Sequence, residues 1–177
     1  MLSWFTQTWF IQGVLHPLQT PAHLMLILGL ALLLGQQKQL KGLLLLPFSV
    51  IAGLMINHYS LLSWNTELIL LVLALICGLL LVLRLNLPKI ITIILLLFSG
   101  IILGLDSSPV MIPGLGINSI ISWRLGAMLT INMGIVALDL LAYFLNRYWN
   151  GIILRIAGSW IATSAIFVLT LMLAGKT

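Results

Sequence analysis

Two histidines near the start of the chain are the residues best suited to chemistry. His16 and His23 are seven positions apart, have two prolines between them, and lie where the first long hydrophobic segment begins. Histidine is the commonest protein ligand for divalent transition metals, so the pair indicates a metal site. The same stretch is also typical of a helix start at a membrane interface, in which Thr20 caps the helix and Pro21 occupies its first turn.

The composition places these histidines in a membrane protein. Of 177 residues, 62% are hydrophobic and 6% are charged, and the mean hydropathy is +1.23. So few charges could not cover the surface of a water-soluble domain of this length. The apolar runs of about 20 residues predict transmembrane helices with the lipid bilayer as partner. The Lys and Arg residues are scattered, so no nucleic-acid-binding patch is expected.

Six hydrophobic segments predict an all-α bundle of about six transmembrane helices, with residues 1–177 forming one membrane domain. The segments cover residues 21–36, 42–57, 66–85, 87–105, 117–145 and 152–174. The first two have about 16 residues each, which is short for a helix that crosses a bilayer. Residues 1–19 precede the six-helix bundle of 20–176 and are rich in Trp and Phe. They predict an aromatic segment in the outer membrane interface.

The positive charges predict how the bundle is oriented. Six of the eight Lys and Arg residues fall in or beside the loops that follow the first, third and fifth segments. These six are Lys38, Lys41, Arg84, Lys89, Arg147 and Arg155. Arg124 and Lys176 fall on the other side. Because loops rich in Lys and Arg stay in the cytoplasm, we expect both termini on the periplasmic side of a bacterial inner membrane.

This orientation places all three histidines, His16, His23 and His58, on the periplasmic side. Glu67 and Asp106 are near the same surface. The methionines that could accompany these groups are Met25, Met55 and Met111. Nitrogen, oxygen and thioether ligands could therefore assemble around nickel, cobalt, zinc or copper. No histidine pair has the i, i+4 spacing of a strong helical metal motif, and ordinary interfacial side chains are the alternative interpretation.

The fifth segment carries a second chemical signal, a polar stripe. At about 100° per residue, its polar residues fall within roughly a quarter-turn and should face the bundle interior. They are Arg124, Asn132, Asp139, Tyr143 and Asn146. Asp139 is the one acidic residue deep in a segment. It is interpreted as part of an ion or proton path, or as half of a buried ion pair with Arg155 or Arg147, and the short sequence separation favours the pair.

The motif around the first histidine resembles that of the HupE/UreJ family of small bacterial membrane proteins. The family pattern Gly-Phe-x-His-Pro-x-x-Gly-x-Asp-His-Leu-Leu-Ala-Met matches Gly13, His16, Pro17, His23 and Leu24 at the same intervals. The resemblance implies a bundle of about six transmembrane helices. It also implies the uptake of nickel or cobalt for the maturation of hydrogenase and urease.

The chain departs from the family pattern at several positions. The motif Asp before the second histidine is Ala22, and the motif Gly is Thr20. A second family motif, Phe-His-Gly-x-Ala-His-Gly, corresponds to residues 98–104, where Ser99 and Leu103 replace both histidines. One carboxylate and two imidazoles are therefore missing from the ligands that the resemblance implies, and metal affinity depends on ligand number and type.

Two functions from different classes follow. The first is an inner-membrane protein that takes up a divalent metal, with nickel favoured, by passive or facilitated movement, using His16, His23 and His58. The second is a non-transporting accessory subunit that keeps the fold and packs through small-residue faces in a homo-oligomer or a larger membrane complex. A copper-handling protein is a third possibility. The sequence motifs of hydrolases, nucleotide-binding enzymes and metalloproteases are absent, so we expect neither an enzyme nor a resident cofactor.

Overall fold

The computed structural model describes a chain whose regular elements are all helices. It covers residues 2–38, 40–59, 65–109 and 116–175, with side chains for 8–38, 42–57, 65–109 and 116–175. The elements are α1 (Leu2–Gln19), α2 (Pro21–Gln37), a 3-10 helix (Leu40–Leu45), α3 (Leu46–Tyr59), α4 (Thr66–Leu83), α5 (Lys89–Asp106), α6 (Ile117–Tyr148) and α7 (Ile152–Ala174). The all-α fold class is confirmed, and each predicted segment coincides with one of the helices α2 to α7.

Several of these helices are compatible with a membrane protein. Helices α4 to α7 are long and apolar enough to cross a membrane, and α1 from Thr8 combines with α2 into a fifth, broken candidate. Gly42–Asn57 is a shorter apolar helix. Its first part winds as the 3-10 helix, and Pro47 lies in the first turn of α3, where its missing N–H costs no helical hydrogen bond. The described chain thus has four or five candidate spans, where the sequence predicts about six.

The chain breaks sharply between α1 and α2. Thr20 has an extended backbone (φ −90°, ψ 112°) and Pro21 begins α2, and the two helices are bent by 71°. Proline lacks the N–H of a continuous helix and disfavours helical conformation in the residue before it, which explains the position of the break. The Thr20 hydroxyl donates to the carbonyl of His16 at 2.9 Å and makes no cap for α2. Thr20 therefore occupies the predicted N-cap position and Pro21 the first turn, but the Thr20 side chain does not cap α2.

Helix α1 packs closely along the first half of α6. A Cβ built on Gly13 would lie 2.1 Å from the carbonyl oxygen of Trp123, and one on Gly126 would lie 2.3 Å from that of Phe10. The Thr130 hydroxyl also donates to a carbonyl of α1 at 2.9 Å. Only glycine permits such an approach between two backbones. The predicted aromatic segment is thus a helix held against α6, and its place in the membrane interface stays a prediction.

The two ends of the bundle differ in charge. Helices α2, α4 and α6 end where α5 and α7 begin, and Gln37 Nε2 at the end of α2 donates to the carbonyl of Leu85 after α4 at 2.6 Å. This end, the basic end, carries Lys38, Arg84, Lys89, Arg147 and Arg155. The opposite end, the histidine end, carries His16, His23, Glu67, Asp106 and Arg124. The side chain of Lys41 and the residue Lys176 lie outside the described residues.

Candidate metal centre

Three side chains from three helices meet at the histidine end. His16 comes from α1, His23 from the first turn of α2, and Asp106 from the last turn of α5. One ligand-type atom of each lies within 4.8 Å of the other two. The centroids of the two imidazole rings are 5.2 Å apart, with an interplanar angle of 74°. Two of the three predicted metal ligands are therefore adjacent, and a carboxylate joins them.

The break after α1 explains why the two histidines meet. In a continuous helix, residues seven positions apart are separated by about 10 Å along the axis. The bend of 71° turns α2 away from the axis of α1 at Thr20, and the centroids of the two imidazole rings lie 5.2 Å apart across this bend. The proline pattern in the sequence thus positions the ligands.

Asp106 is held in place by donors from two other helices. Its Oδ2 accepts a hydrogen bond from His23 Nε2 at 2.8 Å, and its Oδ1 accepts one from the hydroxyl of Thr66 at the start of α4. His23 is fully buried, whereas the Asp106 side chain is 22% exposed. A carboxylate at a helix C-terminus is disfavoured by the helix dipole. These two donors compensate for that cost and fix the carboxylate beside His23.

Two imidazole nitrogens in this cluster have no partner. His16 Nε2 and His23 Nδ1 are buried and make no hydrogen bond to any described residue. In a neutral His23 whose Nε2–H donates to Asp106, Nδ1 carries a free lone pair. Buried polar atoms without partners are uncommon, and an ion is one of the explanations for them. Both nitrogens are available to bind a metal.

The distances suit a transition metal ion. An ion about 2.1 Å from each ligand atom puts neighbouring ligands about 3.0 Å apart and opposite ligands about 4.2 Å apart. His23 Nε2 and Asp106 Oδ2 are 2.8 Å apart, and one ligand-type atom of each of the three side chains lies within 4.8 Å of the others. Binding of the ion by His23 Nε2 and Asp106 Oδ2 together would replace the hydrogen bond between them. Asp106 can bind the ion directly, or it can orient His23 so that Nδ1 faces the ion. Imidazole and carboxylate ligands suit nickel, cobalt and zinc.

Aromatic side chains wall the cluster on the side of α6. The ring of Trp123 lies 5.5 Å from that of His16 and 6.2 Å from that of Trp9, measured between centroids. The Trp123 indole N–H donates to the carbonyl of Ser107 at 3.0 Å, just after α5. Trp123 thus contacts α1 through the rings of Trp9 and His16, and it contacts the end of α5 through Ser107. Its ring covers one side of the His16 imidazole.

Some predicted ligands are elsewhere or undescribed, and some site residues were not predicted. The side chain of His58 lies outside the described residues, so its role stays a prediction. Glu67 is exposed at the start of α4 and does not belong to the cluster. The sequence predicts Asp106 near this surface as a possible oxygen ligand but not among the three preferred ligands, and it does not predict Thr66 or Trp123. The signal for Asp106 was its position at the periplasmic end of a predicted span.

The described thioethers do not belong to this cluster. Met25 lines a separate cavity of about 250 Å³ together with Trp160 and Ile161 of α7. Met55 is half exposed on α3, and Met111 lies outside the described residues. Soft sulfur ligands favour copper(I), and the described residues supply none of them here. Met25 and Met55 therefore give the copper hypothesis no support, and the part of it that depends on Met111 stays a prediction.

The predicted ion pair of Asp139 is not formed. Asp139 is fully buried, and neither of its carboxylate oxygens has a hydrogen-bond partner among the described residues. Arg155 is exposed, and its Nε donates to the carbonyl of Val82 at 3.1 Å. Because α7 packs on α4, Arg155 extends along the end of α4 and not toward α6. Arg147 lines an open cavity at the basic end.

The remaining polar residues of the stripe on α6 are partly unsatisfied. Arg124 has buried Nε and terminal nitrogen atoms without a partner among the described residues. Asn132 Nδ2 donates to the carbonyl of Met128 at 2.8 Å, whereas its Oδ1 is buried and unpartnered. Helix α6 therefore carries free hydrogen-bonding capacity inside the bundle, at Asn132 and at Asp139, between the two ends.

Comparisons with known proteins assign neither a family nor a function to this chain. No family model matches the chain, and no curated protein or solved structure matches it significantly. Function therefore has to be argued from the chemistry of His16, His23 and Asp106 and from the distribution of charge over the bundle.

Proposed function

We propose that this protein binds a divalent transition metal ion at His16, His23 and Asp106 and moves it across the inner membrane of a bacterium. The observation that carries the proposal is the pair of buried, unpartnered imidazole nitrogens beside a carboxylate. Nickel is the favoured ion, with cobalt and zinc as alternatives of the same ligand chemistry. Movement is passive or facilitated.

The position of Asp106 supports a HupE/UreJ-like site. The family motif carries an Asp before its second histidine, where this chain has Ala22, and Ala22 is buried. Asp106 brings a carboxylate to His23 from α5 instead. A ligand set of two imidazoles and one carboxylate is thereby available although the local motif has lost its Asp.

The charge distribution supports capture from the periplasm. The five described cations of the basic end lie opposite the three ligands, and the positive-inside rule assigns such an end to the cytoplasm. The histidine end then faces the periplasm, with both termini on that side. An ion entering from outside would meet His16 and His23 before it meets any Lys or Arg of the basic end.

The interior of α6 supports transport over a purely accessory role. An ionisable residue inside a membrane protein is costly unless paired, and is by default a candidate for an ion or proton path. Among the described residues, neither oxygen of the buried Asp139 has a partner. Asn132, whose Oδ1 is also unpartnered there, lies about 10 Å nearer the histidine end along the same helix. A path for an ion would use such groups.

Metal titration of the purified protein tests the proposal. The protein in detergent is titrated calorimetrically with Ni²⁺, Co²⁺, Zn²⁺ and Cu²⁺, and bound metal is measured by mass spectrometry. We expect saturable binding of one ion per chain that is lost in the double variant His16→Ala, His23→Ala. The variant Glu67→Gln is the matched control, because it removes a carboxylate from the same end outside the cluster. His58→Ala tests the third predicted ligand.

Two outcomes would contradict the proposal. Binding that is equal in the protein and in the double histidine variant would place the ion elsewhere. If none of the four ions binds above the background of the double variant, the accessory-subunit hypothesis replaces transport. The proteins that co-purify with the chain would then identify the complex.

A further inference from the structure

A second candidate site lies at the opposite end of the bundle. A cavity of about 670 Å³ opens between the last turns of α2, α4 and α6, and all nine residues that line it have polar side chains. Its volume falls in the range of small-molecule sites. The lining includes the cations Lys38, Arg84 and Arg147 and no Asp or Glu. It is distinct from the metal cluster, and no metal-binding role is argued for it.

The charges of this cavity lack a counter-ion. Among the described residues, the one ion pair is that of His23 and Asp106, at the far end of the bundle. The ends of three helices contribute about half a negative charge each. This sum of about −1.5 is smaller than the three full positive charges of the lining cations. The cavity is therefore electropositive and suited to an anion.

Three residues that line this cavity have a left-handed backbone conformation. The described residues other than glycine that have positive φ are Lys38 (55°), Arg84 (52°) and Asn150 (47°), and all three line this cavity. Lys38 and Arg84 cap the C-termini of α2 and α4 in the left-handed conformation, where glycine is the favoured residue. Strained residues cluster at ligand sites. Here the strain places two cations at one cavity.

Amide groups with free capacity complete the lining. Both polar side-chain atoms of Gln36 and the Oδ1 of Asn146 are buried without a partner among the described residues, while Asn146 Nδ2 donates to the carbonyl of Gln36 at 3.4 Å. Gln36 Nε2 is therefore a buried N–H donor that the described part of the protein does not satisfy. A Cβ built on Gly151, whose φ is +77°, would lie 3.6 Å from Arg84 Nε, so the guanidinium rests on the turn between α6 and α7.

We propose that this cavity binds a phosphate group through Arg84, Arg147 and Lys38, with the Gln36 amide as a further donor. Arginine forms paired hydrogen bonds with phosphate oxygens, and lysine adds a point charge. Basic pockets between helices on the cytoplasmic side of membrane proteins bind phosphate headgroups of anionic lipids. The same chemistry accepts a free phosphate compound. The phosphate source is thus a lipid headgroup or a soluble anion.

Binding measurements on the full chain in neutral detergent test this site. The probes are phosphatidylglycerol and cardiolipin, with zwitterionic phosphatidylcholine as reference, and inorganic phosphate against chloride at equal ionic strength. Binding is followed by native mass spectrometry and by the shift in Tm. We expect the Kd of the phosphate-bearing probe to rise about fivefold for each cation removed in Arg84→Gly and Arg147→Gln.

The variants separate a specific site from general positive charge. Arg155→Gln removes a cation from the same end outside the cavity, and we expect less than a twofold change in Kd. Arg84→Gly also relieves a positive φ, so Tm without ligand should stay equal or rise while the ligand-induced shift falls. Saturable binding of anionic lipid alone identifies a headgroup site, and binding of inorganic phosphate identifies a soluble anion. Equal weakening in all three variants, or no saturable binding of either probe, would overturn the proposal.

Discussion

The two ends of the bundle bring together opposite kinds of polar chemistry. At the histidine end, two imidazoles and a carboxylate come within 4.8 Å of one another, in a small cluster walled by Trp123. At the basic end, three cations line an open cavity of about 670 Å³ without any lining carboxylate. The first arrangement has lone pairs that suit a cation, and the second has N–H donors that suit an anion.

The difference follows from which helix ends meet. The histidine end is formed where a broken helix pair, α1 and α2, meets the last turn of α5, so ligands converge from three directions. At the basic end, where α2, α4 and α6 end, Lys38, Arg84 and Arg147 line a cavity of about 670 Å³. The compact cluster suits a metal ion, whereas the cavity lined by like charges suits a larger anion. The two sites should therefore respond independently to mutation.

The largest expected effect is the loss of metal binding when both imidazoles are removed. The variant His16→Ala, His23→Ala should weaken Ni²⁺ binding by more than a hundredfold, because two of three protein ligands are gone. Its affinity for the phosphate probe should stay unchanged, since that cavity is at the other end. Calorimetric titration of the same preparation with Ni²⁺ and with the phosphate probe measures both affinities. Loss of both affinities together would mean that the variant misfolds or that the ends are coupled.

A smaller loss is expected when the carboxylate is neutralised. Asp106→Asn keeps the shape of the side chain and removes its charge, and residues that orient a metal-bound histidine contribute tenfold to a hundredfold to affinity. We expect a loss in that range, read from the Ni²⁺ Kd. Glu67→Gln, an exposed change at the same end, should leave Kd within twofold. Unchanged binding in Asp106→Asn would exclude the carboxylate from the site.

The close contact between α1 and α6 gives a test of how the histidine end is built. Gly126→Ala puts a Cβ 2.3 Å from the Phe10 carbonyl oxygen and should cost about 1–3 kcal/mol of stability. We expect Tm to fall by several degrees and Ni²⁺ affinity to fall as well, because α1 carries His16. Gly134→Ala is the matched control on the same helix, since its nearest atom would lie 3.7 Å away. Equal effects of the two changes would contradict this packing.

The sequence predicts the helices and the histidine pair because both depend on local patterns. The ends of the segments coincide with changes from apolar to polar residues. Pro21, directly after Thr20, predicts the helix break that lies between His16 and His23. Asp106 could be placed near the surface by its position at a segment end. Its contact with His23 depends on how α5 packs against α2, which no local pattern encodes.

The wrong predictions have a similar physical origin. The ion pair of Asp139 with Arg155 was inferred from short separation across the turn between α6 and α7. Helix α7 packs on α4, however, and Arg155 turns toward Val82. The count of six spans is not confirmed, because the two predicted segments of about 16 residues are too short to count alone: α2 counts only together with α1, and Gly42–Asn57 is a shorter apolar helix. Which helices pack together is set by tertiary packing, and a hydrophobic pattern alone does not record it.

The smallest expected effect concerns Asp139, the polar group between the two ends. Its buried carboxylate has no partner among the described residues. Asp139→Asn therefore removes a desolvation cost and should raise stability by about 1 kcal/mol, which corresponds to a rise in Tm of about 2–4 °C. If Asp139 instead formed an ion pair with Arg155, Asp139→Asn would lower Tm. The effects of Asp139→Asn and Arg155→Gln on stability would then not be additive.

A double-mutant cycle in detergent separates these outcomes. Without a pair, the stability changes of Asp139→Asn and Arg155→Gln should add within about 0.5 kcal/mol. Non-additivity beyond that value would restore the ion pair. If Asp139 serves the metal path, Asp139→Asn should also slow nickel uptake into vesicles while leaving the Kd at His16 and His23 unchanged. If Asp139→Asn is stable and nickel uptake is unchanged, Asp139 is not part of the metal path between the two ends.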